Sequence, residues 1–173
     1  MTILLILAGV AWWWHSGHSK QQAFQQLKNS PSIVFPADGS EKARLYVFTD
    51  PDCSACKHLH KMTKSLNNKG VSLHFYPLPL MSGINYNQEG ELVGSRANDI
   101  RAIWCSQFKQ GAFNTLFHGG KVSLRSRCVN PLEEHVQYAG ELKVKGVPTL
   151  FNDKGESIPL WSDANNMVKA LGI

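Results

Sequence analysis

Hydrophobic and polar positions along the chain follow two periods, and each period predicts one kind of element. Short apolar runs rich in β-branched and aromatic residues indicate strands; they cover residues 32–35, 45–48, 71–76, 149–152 and 157–160. Apolar residues spaced three and four apart indicate helices; they cover residues 53–68, 95–107, 112–118, 131–142 and 163–171. This order predicts an α/β domain with a helical insertion, about residues 94–142, between its strands.

The first 18 residues form a separate apolar segment. Residues 3–14 contain no charge and end in three tryptophans; they are shorter than the about 20 residues that span a bilayer. Because tryptophan favours the membrane–water interface and no small-residue cleavage site follows, we expect residues 1–18 to be an uncleaved membrane anchor. A cleaved signal peptide is the second interpretation, and a buried helix of a soluble protein is the third.

Two further segments follow the apolar one. Residues 19–31 predict a polar helical linker, because Ala23, Phe24 and Leu27 are their only apolar stripe. Residues 32–173 are long enough to form one domain with its own core. The net charge of +5 comes without a run of lysines and arginines, so the composition does not predict a nucleic-acid partner.

A pair of cysteines with two residues between them stands where a predicted strand ends and a helix begins. In Cys53-Ser54-Ala55-Cys56, the first cysteine meets the unpaired N–H groups and the positive dipole end of the helix, which stabilise a thiolate. A thiolate is the nucleophile of disulfide exchange, and the second cysteine can resolve the mixed disulfide. We therefore expect Cys53 to attack and to be more exposed than Cys56.

A proline precedes the strand predicted at residues 149–152. In Val147-Pro148-Thr149, the X–Pro bond is the one ordinary place for a cis peptide. The sequence therefore indicates either a cis-proline turn beside the cysteine pair or a plain proline at the start of a strand.

Taken in order, these motifs resemble the DsbC/DsbG-type thiol:disulfide interchange proteins. The resembling segments are Val47-Phe48-Thr49-Asp50, Cys53 with Cys56, Leu59-His60, Val71–Pro77, Ala102–Cys105, Cys128 and Gly146–Thr149. The resemblance extends over residues 41–173 and implies a thioredoxin-like α/β fold with a helical insertion. It implies that the two spaced cysteines are catalytic.

The resemblance also implies roles for five further residues. Val147, Pro148 and Thr149 correspond to the cis-proline loop that contacts substrate. Cys105 and Cys128 correspond to a structural disulfide in the helical insertion, which indicates an oxidising compartment. From the residues alone, two buried free thiols are the alternative.

Two departures from the family bear on the activity. Family members usually carry an N-terminal dimerisation domain, for which residues 19–40 are too short, so we expect a monomer. Val147 stands where the isomerases carry threonine and is more like the DsbA-type oxidases. Ser54 and Ala55 bring no cation to the thiolate, which predicts a weaker oxidant than those enzymes. We expect an exported enzyme that reduces, isomerises or forms disulfides, with reduction and isomerisation favoured over oxidation.

The expected partners are disulfide-containing envelope proteins and a membrane redox protein that recycles the cysteine pair, without cofactor or resident metal. The expected location is the periplasm, tethered to the inner membrane through residues 3–14. The alternative is a redox-inactive assembly factor or a zinc module. Cys53, Cys56 and His60 could supply three zinc ligands, with Cys105 or Cys128 as the fourth. A second compact ligand knuckle, usual in structural zinc sites, is missing from the sequence.

Overall fold

The computed structural model describes residues 20–123 and 128–173 of the chain. Among these residues the strands are β1 (Ile33–Phe35), β2 (Ala43–Thr49), β3 (Val71–Pro77), β4 (Asn85–Tyr86), β5 (Leu92–Val93), β6 (Thr149–Phe151) and β7 (Ser157–Ile158). The helices are α1 (described over residues 20–29), α2 (Ser54–Asn68), α3 (Ser95–Trp104), α4 (Lys109–Phe117), α5 (Leu132–Glu141) and α6 (Ala164–Leu171).

The central sheet has the strand order β1-β3-β2-β6-β7. β2 and β3 are parallel, with Ala43 opposite Val71 and Thr49 opposite Pro77, and α2 is the crossover between them. The other three neighbouring pairs are antiparallel. Residues 45–48 of β2 are at most 2% exposed, which explains why this strand is a continuous apolar run rather than an alternating one.

The predicted α/β fold with a helical insertion is confirmed. Helices α3, α4 and α5 lie between β3 and β6, as the hydrophobic periodicity predicts. Residues 78–93 contain the two-residue strands β4 and β5, paired antiparallel. A disulfide of 2.02 Å joins Cys105, the C-cap residue of α3, to Cys128. It ties the end of α3 to the segment that leads into α5.

The first described helix is packed on the domain, which differs from the linker that the composition of residues 19–31 predicts. Ala23, Phe24 and Leu27 are at most 1% exposed and belong to the main core. Gly155 makes room for this helix, because a Cβ there would lie 2.8 Å from the Phe24 ring. The short apolar stripe is therefore a core contact.

The predicted anchor, residues 1–18, lies outside the described residues and stays a prediction. None of the helices in the described ranges is both long and apolar enough to cross a membrane.

Candidate active site

The cysteine pair lies at the junction of β2 and α2. Cys53 is the N-cap of α2, with extended backbone (φ −83°, ψ 120°), and its Sγ accepts a hydrogen bond from the Cys56 N–H at 3.2 Å. No acidic residue occupies the first turn of α2, so no carboxylate there competes with this sulfur for the positive end of the helix dipole. This arrangement favours negative charge on Cys53 over Cys56.

The two thiols differ in their access to solvent. Both cysteines are free; Cys53 is 6% exposed and Cys56 is fully buried. Burial raises the pKa of the Cys56 thiol, and its hydrogen bond with Cys53 raises that pKa further. Cys56 is therefore a protonated thiol at neutral pH, and Cys53 is the sulfur that a substrate can reach.

The proline loop lies against the attacking sulfur. The Val147–Pro148 peptide bond is cis, and the Cys53 thiol donates to the Val147 carbonyl at 3.3 Å. The Thr149 hydroxyl donates to the Gly146 carbonyl at 2.6 Å, which closes the loop from within. The structure thus brings residues 147–149 next to the cysteine pair, although Cys53 and Val147 are 94 positions apart along the chain.

A buried carboxylate that the sequence analysis did not single out lies under the cysteine turn. Asp50 is fully buried; its carboxylate accepts the N–H of Asp52 at 2.7 Å and the N–H of Met81 at 2.8 Å. Burial raises the pKa of the Asp50 carboxyl, and the two backbone N–H groups oppose that change. The Cys53 N–H donates to the Asp50 carbonyl at 3.1 Å. Asp50 therefore joins the cysteine turn to the loop after β3.

An ion pair fixes the same turn to the helical insertion. Arg96 donates to the two carboxylate oxygens of Asp52 from Nε at 2.7 Å and from Nη2 at 2.6 Å, and its Nη1 donates to Asp99 at 2.8 Å. Arg96 lies in α3, 44 residues from Asp52, so no local sequence pattern reveals the pair. The only available signal for Asp50 was its place in the segment directly before the cysteines.

His60 packs in the core and does not face the cysteines as a zinc ligand would. Its ring lies 5.6 Å from Phe35, 5.2 Å from Phe113 and 5.4 Å from Phe117, measured between centroids. Burial lowers the pKa of His60 to about 4. Across residues 20–123 and 128–173, no group of three or more His, Cys, Asp or Glu side chains could hold a metal. The disulfide of the insertion also uses the two thiols from which a zinc site would take its fourth ligand.

Comparison with known proteins agrees with this geometry. Residues 33–171 match the family model of the thioredoxin-like domain. The chain is 28% identical over 156 residues to the thiol:disulfide interchange protein DsbC of Dickeya dadantii, covering 90% of this chain and 60% of that protein. It is 28% identical over 139 residues to DsbC of Escherichia coli K12, covering 80% of this chain and 54% of that one. The chain thus spans little more than half the length of these relatives.

Solved structures show the same fold. A disulfide interchange protein from Neisseria gonorrhoeae superimposes with a TM-score of 0.59 at 23% identity, covering 82% of this chain and 93% of the other. The catalytic domain of Proteus mirabilis ScsC superimposes with a TM-score of 0.56 at 18% identity, covering 88% and 96%. The resemblance to the DsbC type is confirmed, and because the family model matches most of its length, the chain belongs to the thioredoxin-like domain family.

Proposed function

We propose that the chain is a thiol:disulfide oxidoreductase whose reacting groups are Cys53 and Cys56. The observation that carries the proposal is the position of the Cys53 sulfur. It caps a helix, accepts the Cys56 N–H and lies 3.3 Å from a backbone carbonyl of the cis-proline loop. A sulfur at a helix N-terminus, with a second thiol one turn away, is suited to nucleophilic attack and resolution.

The proposed cycle balances as two exchanges. The Cys53 thiolate attacks one sulfur of a substrate disulfide; a protein–substrate disulfide forms and one substrate thiolate leaves. The Cys56 thiol then loses its proton and attacks Cys53, which releases the second substrate thiolate. The substrate gains two electrons and two protons, one proton from Cys56 and one from water, to which Cys53 gave its proton on ionising; the protein is left with a Cys53–Cys56 disulfide. Each step is reversible, so the same groups can oxidise or isomerise.

Substrate contact is assigned to the loop formed by Val147, Pro148 and Thr149. The Val147 carbonyl accepts a hydrogen bond from Cys53 in the free protein, and an incoming disulfide would have to approach the same sulfur. A substrate that displaces this hydrogen bond frees the sulfur for attack. The disulfide Cys105–Cys128 is assigned a structural role, since it closes the helical insertion.

We favour reduction and isomerisation over oxidation. Ser54 and Ala55 bring no positive charge to the Cys53 sulfur, and the buried Asp50 carboxylate lies three residues before it. Negative charge nearby disfavours a thiolate. A less stabilised thiolate makes the reduced form less favourable, so the pair is a weaker oxidant.

We further propose a periplasmic location, because the named relatives are thiol:disulfide interchange proteins and a disulfide joins Cys105 to Cys128, which fits an oxidising compartment. The apolar residues 3–14 would tether the domain to the inner membrane or direct its export. The proposed substrates are disulfide-containing envelope proteins. A membrane redox protein would return the cysteine pair to its starting state, and the domain would act as a monomer.

The test is reduction of insulin disulfides with dithiothreitol as electron donor. We expect Cys53→Ser to abolish the catalysed rate, because the attacking sulfur is gone. Cys56→Ala should instead accumulate a mixed disulfide with insulin, which gel electrophoresis without reductant detects. The double variant Cys105→Ala/Cys128→Ala is the control, since it removes the other two cysteines of the chain, and it should keep the catalysed rate. Wild-type activity in Cys53→Ser would refute the proposal.

Iodoacetamide alkylation gives an independent check on the assigned roles. With the protein reduced and folded, we expect label on Cys53 and almost none on Cys56, because Cys56 is fully buried and burial raises its thiol pKa. Equal labelling of the two cysteines would contradict the assignment.

A further inference from the structure

A groove beside the proline loop is bordered by lysines. It has a volume of about 710 Å³ and lies between α1, the segment after α5, and the hairpin of β6 and β7. Apolar side chains line its floor, among them Phe24 and Phe151. The lysines on its border are Lys20, Lys143, Lys145 and Lys154.

The charge of this groove is strongly one-sided. All four lysines are exposed, and none forms an ion pair with any residue of the described chain. Glu156 is the one acidic residue that lines the groove among the described residues, and its carboxylate accepts a hydrogen bond from Asn152 at 2.7 Å. Two lysines outside the groove, Lys28 and Lys64, are paired with Asp153 and Asp38.

One of these lysines occupies a backbone position that disfavours it. Lys143 has φ +58° and is the one non-glycine residue with positive φ in the described ranges. It follows the C-cap of α5, where the Val144 N–H bonds the Ala139 carbonyl at 2.8 Å. Glycine usually takes this left-handed position. The lysine therefore places a positive charge on the groove at a cost in backbone energy.

The groove shares one lining residue, Thr149, with the proline loop of the candidate active site. Thr149 lines the groove and follows the cis Val147–Pro148 bond. Backbone dimensions place the Cα atoms of Lys145 and Thr149 each within about 8 Å of the Val147 Cα. When a substrate disulfide reaches Cys53 past the Val147 carbonyl, substrate residues a few positions from the reacting cysteine can therefore reach the groove.

We propose that this groove selects substrates in which acidic residues flank the reacting cysteine. The inference rests on the proposed function and adds the substrate class to it. Carboxylates of the substrate would pair with the four lysines, and its backbone would lie over the apolar floor. An anionic membrane surface is the rival partner for a lysine cluster, but a concave groove that leads to the proline loop fits an extended chain better than a flat surface.

The test uses three synthetic disulfide peptides that differ only in flanking glutamate, glutamine or lysine residues. Reduced full-length protein is mixed with excess peptide, and the concentration that gives half the maximal rate of Cys53–Cys56 oxidation is measured. Exposed ion pairs each change affinity up to about fivefold, so two or three of them predict about tenfold tighter binding of the glutamate peptide than of the glutamine peptide. At about 500 mM salt, screening should reduce that ratio to below about twofold.

Two variants with the same change in net charge locate the effect. Lys20→Gln/Lys143→Asn/Lys145→Gln/Lys154→Gln neutralises the groove; we expect its glutamate-to-glutamine preference to fall to about one, since no charge pairs remain. Asparagine is used at residue 143 because it tolerates positive φ. The control neutralises four exposed lysines that do not line the groove, and it should keep the tenfold preference; they are Lys42, Lys109, Lys121 and Lys169.

Each outcome is decisive. Equal use of all peptides by the wild-type protein, or a preference that survives in the groove variant, overturns the inference while the proposed function stands. Reaction with none of the peptides overturns the proposed function and this inference with it. Binding to phosphatidylglycerol vesicles that is lost in the groove variant, without any peptide preference, assigns the lysines to lipid and also overturns the inference.

Discussion

Removing the disulfide of the helical insertion should weaken the fold while the thiol chemistry continues. The bond closes a loop of 23 residues between Cys105 and Cys128. In the chain-entropy relation, a loop of that size lowers the entropy of the unfolded chain enough to stabilise the fold by about 3.4 kcal/mol at 25 °C. Native domains have about 5–15 kcal/mol of stability in all, so this single bond accounts for a large share.

The assay is urea unfolding followed by far-ultraviolet circular dichroism. The background carries Cys53→Ser and Cys56→Ser, so that Cys105–Cys128 is the one disulfide that dithiothreitol can open. With an unfolding slope of about 2 kcal/mol per molar urea, reduction should lower the midpoint by about 1.7 M. Adding Cys105→Ala/Cys128→Ala to the background gives the control, whose midpoint should be low and insensitive to dithiothreitol.

A midpoint shift below about 0.3 M, which is about 0.6 kcal/mol at that slope, would refute this reasoning. It would mean that the unfolded chain already keeps residues 105 and 128 close together. Loss of insulin reduction in Cys105→Ala/Cys128→Ala, at a temperature where that variant is folded, would instead show that the insertion shapes the active site.

Three further perturbations test other parts of the structure. Burial lowers the pKa of His60 and of His135 from 6.5 to about 4, so the folded state binds fewer protons than the unfolded state below pH 7. In urea unfolding, the free energy of unfolding should therefore fall by about 2 kcal/mol for each ring between pH 7 and pH 5. A flat profile would contradict their burial as neutral rings. Gly155→Ala puts a Cβ 2.8 Å from the α1 ring at φ +81° and should cost about 2 kcal/mol or more; Gly90→Ala, with positive φ but open space, is the matched control and should cost less. Asp50→Asn removes the buried carboxyl group three residues before Cys53 and should raise the reduction potential by about 30 mV; an unchanged or lower value would show that this carboxyl group does not act on the cysteine pair.

The fold was predictable because its signals are local. β2 is buried on both faces, so its sequence is a continuous run of apolar residues. α2 begins at the cysteine motif and ends at Asn68, directly before the Lys69–Gly70 turn. Contacts that join distant segments gave no such signal. The stripe of α1 is only three residues, and a helix so polar elsewhere is indistinguishable from a linker until Gly155 is placed beside it.

The same reason separates the predictable and unpredictable parts of the candidate site. The cysteine pair and Pro148 can be predicted from the sequence because each belongs to a local motif. The Asp50 carboxylate accepts a hydrogen bond from the Met81 N–H, 31 residues away. Arg96 reaches Asp52 from α3. The lysines of the groove are scattered over more than a hundred residues, so a sequence without any basic run still folds into a strongly basic surface.

The most direct test of the central claim is the reduction potential of Cys53–Cys56 in the intact chain. The protein is equilibrated in glutathione buffers and its thiols are trapped, with mass spectrometry reporting this pair separately from Cys105–Cys128. We expect one two-electron transition with a midpoint near about −200 mV, well below the about −120 mV of a strong oxidant. A pair that stays reduced in fully oxidised glutathione would contradict the account, because the two cysteines would then not be a redox centre.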